Sequence, residues 1–224
     1  MNRGIRSYVL RQGRTTPSQK LSLEKLSPIF GIAFSDSPFN PRDIFGRLAP
    51  VVLEIGSGMG ETTAEIAQQN PAIDFIAVEV HGPGVGSLLN RIAAQELKNL
   101  RVVRHDAVEV LACMIPDGSL AAIHLFFPDP WPKKRHHKRR LVQPTFAALA
   151  ARKLAPGGTL HAATDWPEYA DQMDAVLSGE SLLVPAGEGF LKRPETKFEK
   201  RGQRLGHAIR DLYFRRREKA PSAR

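Results

Sequence analysis

From Val51 onward the chain alternates short apolar runs with stretches of helical spacing. VVLEIG, DFIAVEV, LRVVRHDA, SLAAIHLFF and GTLHAAT read as strands. Between them ETTAEIAQQN, Gly84 to Leu97, VEVLACM, Gln143 to Leu154 and Pro167 to Leu177 read as helices, with Pro71 and the Pro156-Gly157-Gly158 run as stops. Strand and helix succeed each other every 20 to 30 residues, which predicts an α/β fold with a mostly parallel sheet and helices on both faces. Residues 1–48 are rich in Pro, Ser and Arg with weak periodicity, and are expected to form a basic arm with one short helix near Leu21 to Leu26. Residues 49–190 form the expected core. Residues 191–224 form a basic tail, in which Ala208 to Phe214 is expected to close the sheet as an edge strand.

Charge sharpens this picture. The formal net charge is +9, but residues 1–20, 131–140 and 192–224 together carry +19, leaving −10 on the rest of the 224-residue chain. An acidic body with three basic segments points to a polyanion held at one face. A membrane surface fits poorly, because no basic amphipathic helix with a bulky apolar face stands out. A single cysteine, Cys113, excludes an intramolecular disulfide and a cysteine-based zinc site. There is no apolar run of membrane-spanning length and no apolar signal core at the N-terminus. The Arg-rich, acid-free N-terminus is compatible with a transit peptide, but a nucleic-acid-binding arm accounts for the other basic segments as well, so the cytoplasm is the expected compartment.

In open α/β sheets the ligand lies beyond the carboxyl ends of the strands. This sequence puts an acid at each of them: Glu54, Glu79, Asp106, Asp129 and Asp165. The first strand is followed by Gly56-Ser57-Gly58-Met59-Gly60. A dinucleotide site wants a third glycine at position 61, where this chain has Glu61. Carboxylates at 54 and 61 would repel a pyrophosphate. A ligand with a ribose, an adenine and a positive charge but no phosphate fits better, and S-adenosylmethionine is such a ligand. Gly56 and Gly58 let it approach the backbone, Glu79 accepts from the ribose hydroxyls, Asp106 accepts from the adenine amino group, and Glu54 faces its cationic end or supports the loop. Taken singly, each acid has a plainer role as a helix cap or solvated turn residue.

The stretch Leu125 to Arg140, LFFPDPWPKKRHHKRR, joins a strand end to Asp129 between two prolines, then Trp131, Pro132 and six Lys/Arg. Three prolines in five residues stiffen the loop and keep it out of the sheet. One acid and one Trp on a stiff loop beside a cationic run suit an RNA base with its phosphates. Trp131 or Trp166 is a candidate for stacking on the base, against core packing as the plainer role. His136 and His137 have no third metal ligand nearby, so no metal is expected.

EIGSGMGE, VEVHGPGVG, HDAVEVL, LFFPDPWPKKRHHKRRLVQ, ATDW and RPETKFEKRGQRLGH, with the IRSYVLRQGRTTPSQ arm, resemble the bacterial tRNA (guanine-N7-)-methyltransferase family in order over nearly the whole chain. The resemblance implies a Rossmann-like class I S-adenosylmethionine-dependent methyltransferase with a seven-stranded sheet, acting on a variable-loop guanine of tRNA. It implies cofactor contacts at Glu54, Glu79, Asp106 and Asp129, with Asp129 catalytic. Substrate contacts map to Lys133, Asp165, Thr196, Lys197, Phe198 and Glu199. RNA contacts map to Arg135, His136, His137, Lys138, Arg139 and Arg140. Monomer and homodimer are both compatible with it. The alternative is an S-adenosylmethionine-dependent methyltransferase acting on another RNA, whereas a small-molecule methyltransferase would leave the basic segments unexplained. A non-catalytic RNA-binding module would leave the ordered acids unexplained.

Overall fold

The computed structural model describes residues 6–8, 14–194, 199 and 208–218. The chain enters through α1 (Pro17–Lys25), α2 (Ser27–Phe30), a two-residue strand β1 (Gly31–Ile32) and α3 (Pro41–Phe45). It continues as β2 (Val51–Ile55), α4 (Glu61–Gln69), β3 (Asp74–Val78), α5 (Gly82–Ala94), β4 (Leu100–Val103) and α6 (Ala107–Glu109), which runs on as a π-helical turn over Val110–Met114. Then follow β5 (Leu120–Phe126), a 3-10 helix over Lys134–Arg139, α7 (Pro144–Lys153), β6 (Leu154–Thr164), α8 (Pro167–Ser178), β7 (Leu183–Pro185) and β8 (Arg210–Arg216).

The strands form one sheet in the order β1-β4-β3-β2-β5-β6-β8-β7. All pairings up to β6 are parallel, and β8 runs antiparallel to both of its neighbours. Among the described residues the sheet has eight strands where seven are expected. The added one is β1, which extends the β4 edge through Gly31↔Val102 and Ile32↔Val103. The tail strand is not an edge either. β8 slots between β6 and β7, and the short β7, ending in Pro185, takes the edge. A proline is tolerated there because an edge strand need not donate on its outer side.

The continuous burial of β2 and β3 explains their mainly apolar runs, in which Glu54 and Asp74 are the buried exceptions, since a parallel sheet is covered on both faces. Val51, Leu53 and Ile55 join Val110, Leu111, Met114, Phe146 and Tyr169 in one core layer. Val52, Phe75 and Ala77 join Ile66, Leu88 and Ile92 in the other. Fully burying a side chain of this size contributes about 1.5–3 kcal/mol.

Much of the expected N-terminal arm is built into this body. Thr16 and Gln19 form a reciprocal capping box with Pro17 at the first turn, which starts α1. The helix lies close on α5: a Cβ at Gly86 would stand 2.7 Å from the Gln19 carbonyl oxygen, and Ser22 Oγ lies 2.5 Å from Asn90 Oδ1.

Candidate active site

The strand order reverses between β2 and β5, and a cavity of about 650 Å³ opens at their carboxyl ends. Gly56, Glu79 and His81 line one side, and Phe127, Asp129 and Trp131 the other. Gly56 and Gly58 have φ of +76° and +55°, a region open to glycine, and a Cβ at either would meet no protein atom within 4 Å. Gly84 matters differently. A Cβ there would stand 2.4 Å from the Gly58 carbonyl oxygen, so this glycine lets the first turn of α5 lie against the loop.

Glu79 is buried and fixes the loop, accepting from Gly58 N–H and His81 N–H, each at 2.8 Å. Each carboxylate oxygen keeps a further lone pair. Glu54 is at an even position of β2, so it shares the face of Val52 and is buried beneath the loop rather than in the cavity wall. Burial, with Glu79 nearby, pushes its carboxyl up to about 7. Ser57 Oγ, close by in sequence, is buried without a protein partner, and the Thr63 hydroxyl beside Glu54 offsets part of the rise by hydrogen bonding. Glu61 pairs with Arg91 at 2.7 Å. The electrostatic case against a pyrophosphate therefore rests on Glu54 and Glu79 rather than on Glu61.

Asp106 caps the helix that follows it, its Oδ1 accepting from Val108 N–H at 2.8 Å, and it borders a neighbouring cleft instead of the cavity. Its flanking residues His105 and Ala107 do line the cavity. The His105 ring stacks on Phe34 at 3.7 Å with planes 17° apart, which gives that wall a flat surface.

The proline-rich loop carries Asp129 into the open side of the cavity, where it is exposed. Among the described residues only three non-glycines have positive φ, and two of them, Phe127 (51°) and Trp131 (46°), bracket Asp129. Such backbone costs roughly 1–3 kcal/mol per residue and persists where its surroundings hold it. Phe127 N–H donates to Ala163 O at 2.7 Å, and Arg140 Nε donates to Pro130 O at 2.8 Å. Trp131 Nε1 donates to Ser7 O at 2.9 Å, which draws the N-terminal segment over the cavity. Tyr8 beside it has its hydroxyl pKa raised by burial and by the nearby Asp106 carboxylate. Trp166 packs against the core, the plainer of its two readings.

In the basic run, Lys133, Lys134, Arg135 and Lys138 are exposed, and His136, His137 and Arg139 are half-buried. Arg139 lies over the Trp131 ring at 5.2 Å. Arg140 is buried. Asp165 follows β6, next to the strand that delivers Asp129, but neither it nor Lys133 is in the cavity wall. Thr196, Lys197 and Phe198 lie outside the described residues. Glu199 pairs with Arg193, whose other nitrogens reach Asp211 Oδ1 and Oδ2 at 3.1 Å each. Arg193 also lies over Phe126 and Phe127, and Asp211 meets His161 Nε2 at 2.6 Å. This cluster ties the tail to the loop that carries Asp129. Ser7, Tyr8 and His105 escape a search for acids and basic runs, and Arg193 is not singled out within the basic tail. The "RSY", "HDAVEVL" and "RPETKFE" strings mark these places in the sequence. Among the described residues no group of three or more His, Cys, Asp or Glu could hold a metal ion.

A family model described as "Putative methyltransferase" matches residues 48–212. A tRNA (guanine-N(7)-)-methyltransferase of Aromatoleum aromaticum is 55% identical over 220 residues, covering 96% of this chain and 85% of that protein. Among solved structures, the 16S rRNA methyltransferase KamB superposes with a TM-score of 0.58 at 19% identity, over 80% of this chain and 92% of that one. A variant of the 16S rRNA (adenine(1408)-N(1))-methyltransferase from Catenulisporales acidiphilia, solved with its cosubstrate SAM, gives 0.54 at 15% identity, over 84% and 95%. At these identities the two structures bear on the fold, which they share with this chain.

Proposed function

The chain belongs to the tRNA (guanine-N7-)-methyltransferase family, and we propose that the cavity between β2 and β5 is where it transfers a methyl group from S-adenosylmethionine to N7 of a guanine in tRNA. The target is the variable-loop guanine, position 46. One observation carries the assignment of the site. A carboxylate on a stiff, backbone-strained loop faces an open glycine loop across the point where strand order reverses.

The residues present fit the cofactor. The space beside Gly56 and Gly58 admits a ligand against bare backbone. Glu79 has lone pairs left for ribose hydroxyls, and the flat Phe34–His105 wall suits a purine. Glu54, with the unpartnered Ser57 hydroxyl in the same loop, suits a cationic amino-acid end. Asp106 borders the adjoining cleft, so its role toward the adenine amino group requires the base to reach past His105. When bound, S-adenosylmethionine supplies a methyl already activated on a sulfonium.

Guanine N7 carries a lone pair at neutral pH, so the chain needs no general base to make the nucleophile. Its work is positioning, which can contribute roughly 7–11 kcal/mol. Asp129 holds the guanine edge and offsets positive charge growing on the base. Trp131 offers a stacking face, worth about 1–3 kcal/mol. Asp165, Thr196, Lys197, Phe198 and Glu199 hold the base from the β6 end and the tail, and Lys133 donates to O6 or a phosphate. The exposed Lys134, Arg135 and Lys138, with His136, His137 and Arg139, follow the tRNA backbone. The chain acts in the cytoplasm, as a monomer or a homodimer. No helix among the described residues is long and apolar enough to cross a membrane.

Labelled-methyl transfer to unmodified total tRNA, with nucleoside analysis, tests this reading. N7-methylguanosine from the wild type, and none from Asp129→Ala with tRNA binding retained, is the expected result. Loss of tRNA binding alone in Asp129→Ala would remove the catalytic assignment.

A further inference from the structure

By composition Arg140 is the sixth cation of the basic run, and nothing in the sequence separates it from its neighbours. Its surroundings do. The side chain is 1% exposed, whereas Lys133, Lys134, Arg135 and Lys138 stand in solvent. We propose that Arg140 is a positioning residue for the loop that carries Asp129, and not a phosphate contact.

Each of the three guanidinium nitrogens has a partner inside the protein. Nε donates to Pro130 O at 2.8 Å, and Nη1 donates to Gln172 Oε1 at 2.7 Å. Nη2 lies 3.1 Å from His137 Nε2 and 3.6 Å from Glu168 Oε1. The cation sits 4.9 Å from the centre of the Tyr169 ring. A planar fork with fixed donor directions, engaged at every nitrogen and covered on one face by an aromatic ring, is committed to the protein rather than to a phosphate outside. The carboxylate paired with it among the described residues, Glu168, is itself 58% exposed. A buried charge with so weak a counter-charge is expensive to keep, so its contacts are best explained by what they hold.

They hold the rear of the loop. Pro130 directly follows Asp129 and has no N–H, so its carbonyl is the backbone handle left at that residue. The Phe127 to Ala163 hydrogen bond pins the front, and Arg140 pins the back, with the strained residues Phe127 and Trp131 between or beside them. The anchor is α8. Gln172 Nε2 donates to Val142 O at 3.0 Å, and Tyr169 Oη accepts from Val142 N–H at 3.2 Å, so the segment after Arg140 is fixed to the same helix. Arg140 thus transmits the position of α8 to the residue beside Asp129.

The inference rests on Asp129 being the catalytic carboxylate, and the experiment separates the two. The full-length variants Arg140→Lys, Gln172→Ala and Asp129→Asn are compared for kcat and KM on tRNA, S-adenosylmethionine affinity by calorimetry, and tRNA binding against KCl. Lysine keeps the charge but cannot form the fork. A phosphate contact would therefore survive Arg140→Lys with near-normal kcat, and that result overturns the proposal. The expected result is a fall in kcat of about 100-fold, as for a misplacement of about 1 Å, with KM for tRNA, the salt slope and cofactor affinity unchanged. Gln172→Ala leaves every cation in place and should lower kcat in the same way. An unchanged kcat there also counts against the proposal. If Arg140→Lys does not fold, Gln172→Ala decides. An active Asp129→Asn would instead refute the catalytic reading on which the inference stands.

Discussion

Glu54→Gln should stabilise the protein above neutral pH. The carboxyl is 5% exposed, and burial with Glu79 nearby raises it from 4.5 to about 7. Its folded form therefore holds a proton more tightly than the unfolded chain does. Below pH 4.5 both states are protonated and Glu54 costs nothing. Between 4.5 and 7 the unfolded chain releases the proton first, so stability falls as pH rises. Above about pH 7 the penalty is constant, at about 3 kcal/mol. An amide of the same shape removes it. For a chain of this size the gain at pH 8 corresponds to about 6–12 °C in Tm. Thermal melts of wild type and Glu54→Gln without cofactor, from pH 4.5 to 8.5, give the difference directly. It should be near zero at the acid end and grow toward pH 7. A Gln variant no more stable than wild type at pH 8, or a gap that does not change with pH, would refute the reasoning. The same variant should bind S-adenosylmethionine more weakly, because the amide cannot answer the cationic end. In wild type near pH 6, binding should release a proton, read by calorimetry in buffers of different ionisation enthalpy.

Gly84→Ala places a Cβ 2.4 Å from the Gly58 carbonyl, so cofactor affinity should drop at least tenfold while tRNA binding without cofactor stays, as titration calorimetry and filter binding would show. Arg193→Ala leaves Glu199 and Asp211 without their shared cation and should cost about 3 kcal/mol, seen in urea unfolding. An unchanged midpoint would mean the cluster is incidental. Removing Lys134, Arg135 and Lys138 together should flatten the log–log salt dependence of tRNA binding by about 2, if each makes one phosphate contact as on single-stranded RNA. An unchanged slope would move the RNA interface elsewhere.

The strands were readable because a parallel sheet is buried on both faces, so Val51–Ile55 and Asp74–Val78 stand out as mainly apolar runs, each with a single acid. β1 and β7 were not readable, being two and three residues long and held by pairing rather than composition. The place of β8 depends on the register Thr164↔Arg210 through Thr159↔Arg215, a non-local pairing that no local pattern encodes. The packed part of the N-terminal segment was half legible: the Thr16 to Gln19 capping box marks the start of α1, but its seat on Gly86 does not show in the sequence.

At the site, residue type was legible and role was sorted by backbone geometry. The acids look alike in the sequence. Strand parity turns Glu54 into the layer under α4 and α5. The start of α6 turns Asp106 into a cap as well as a candidate contact. Two positive-φ residues lift Asp129 into the open. The same holds for the cations. Arg139 and Arg140 are neighbours, yet one lies over Trp131 and the other points inward to Pro130, because Gln172 and Tyr169, about 30 residues further on, stand where α8 passes the loop. A basic run is therefore a poor unit for assigning RNA contacts. Each cation has to be read by where its donors end, and by that test Arg140 belongs with Asp129.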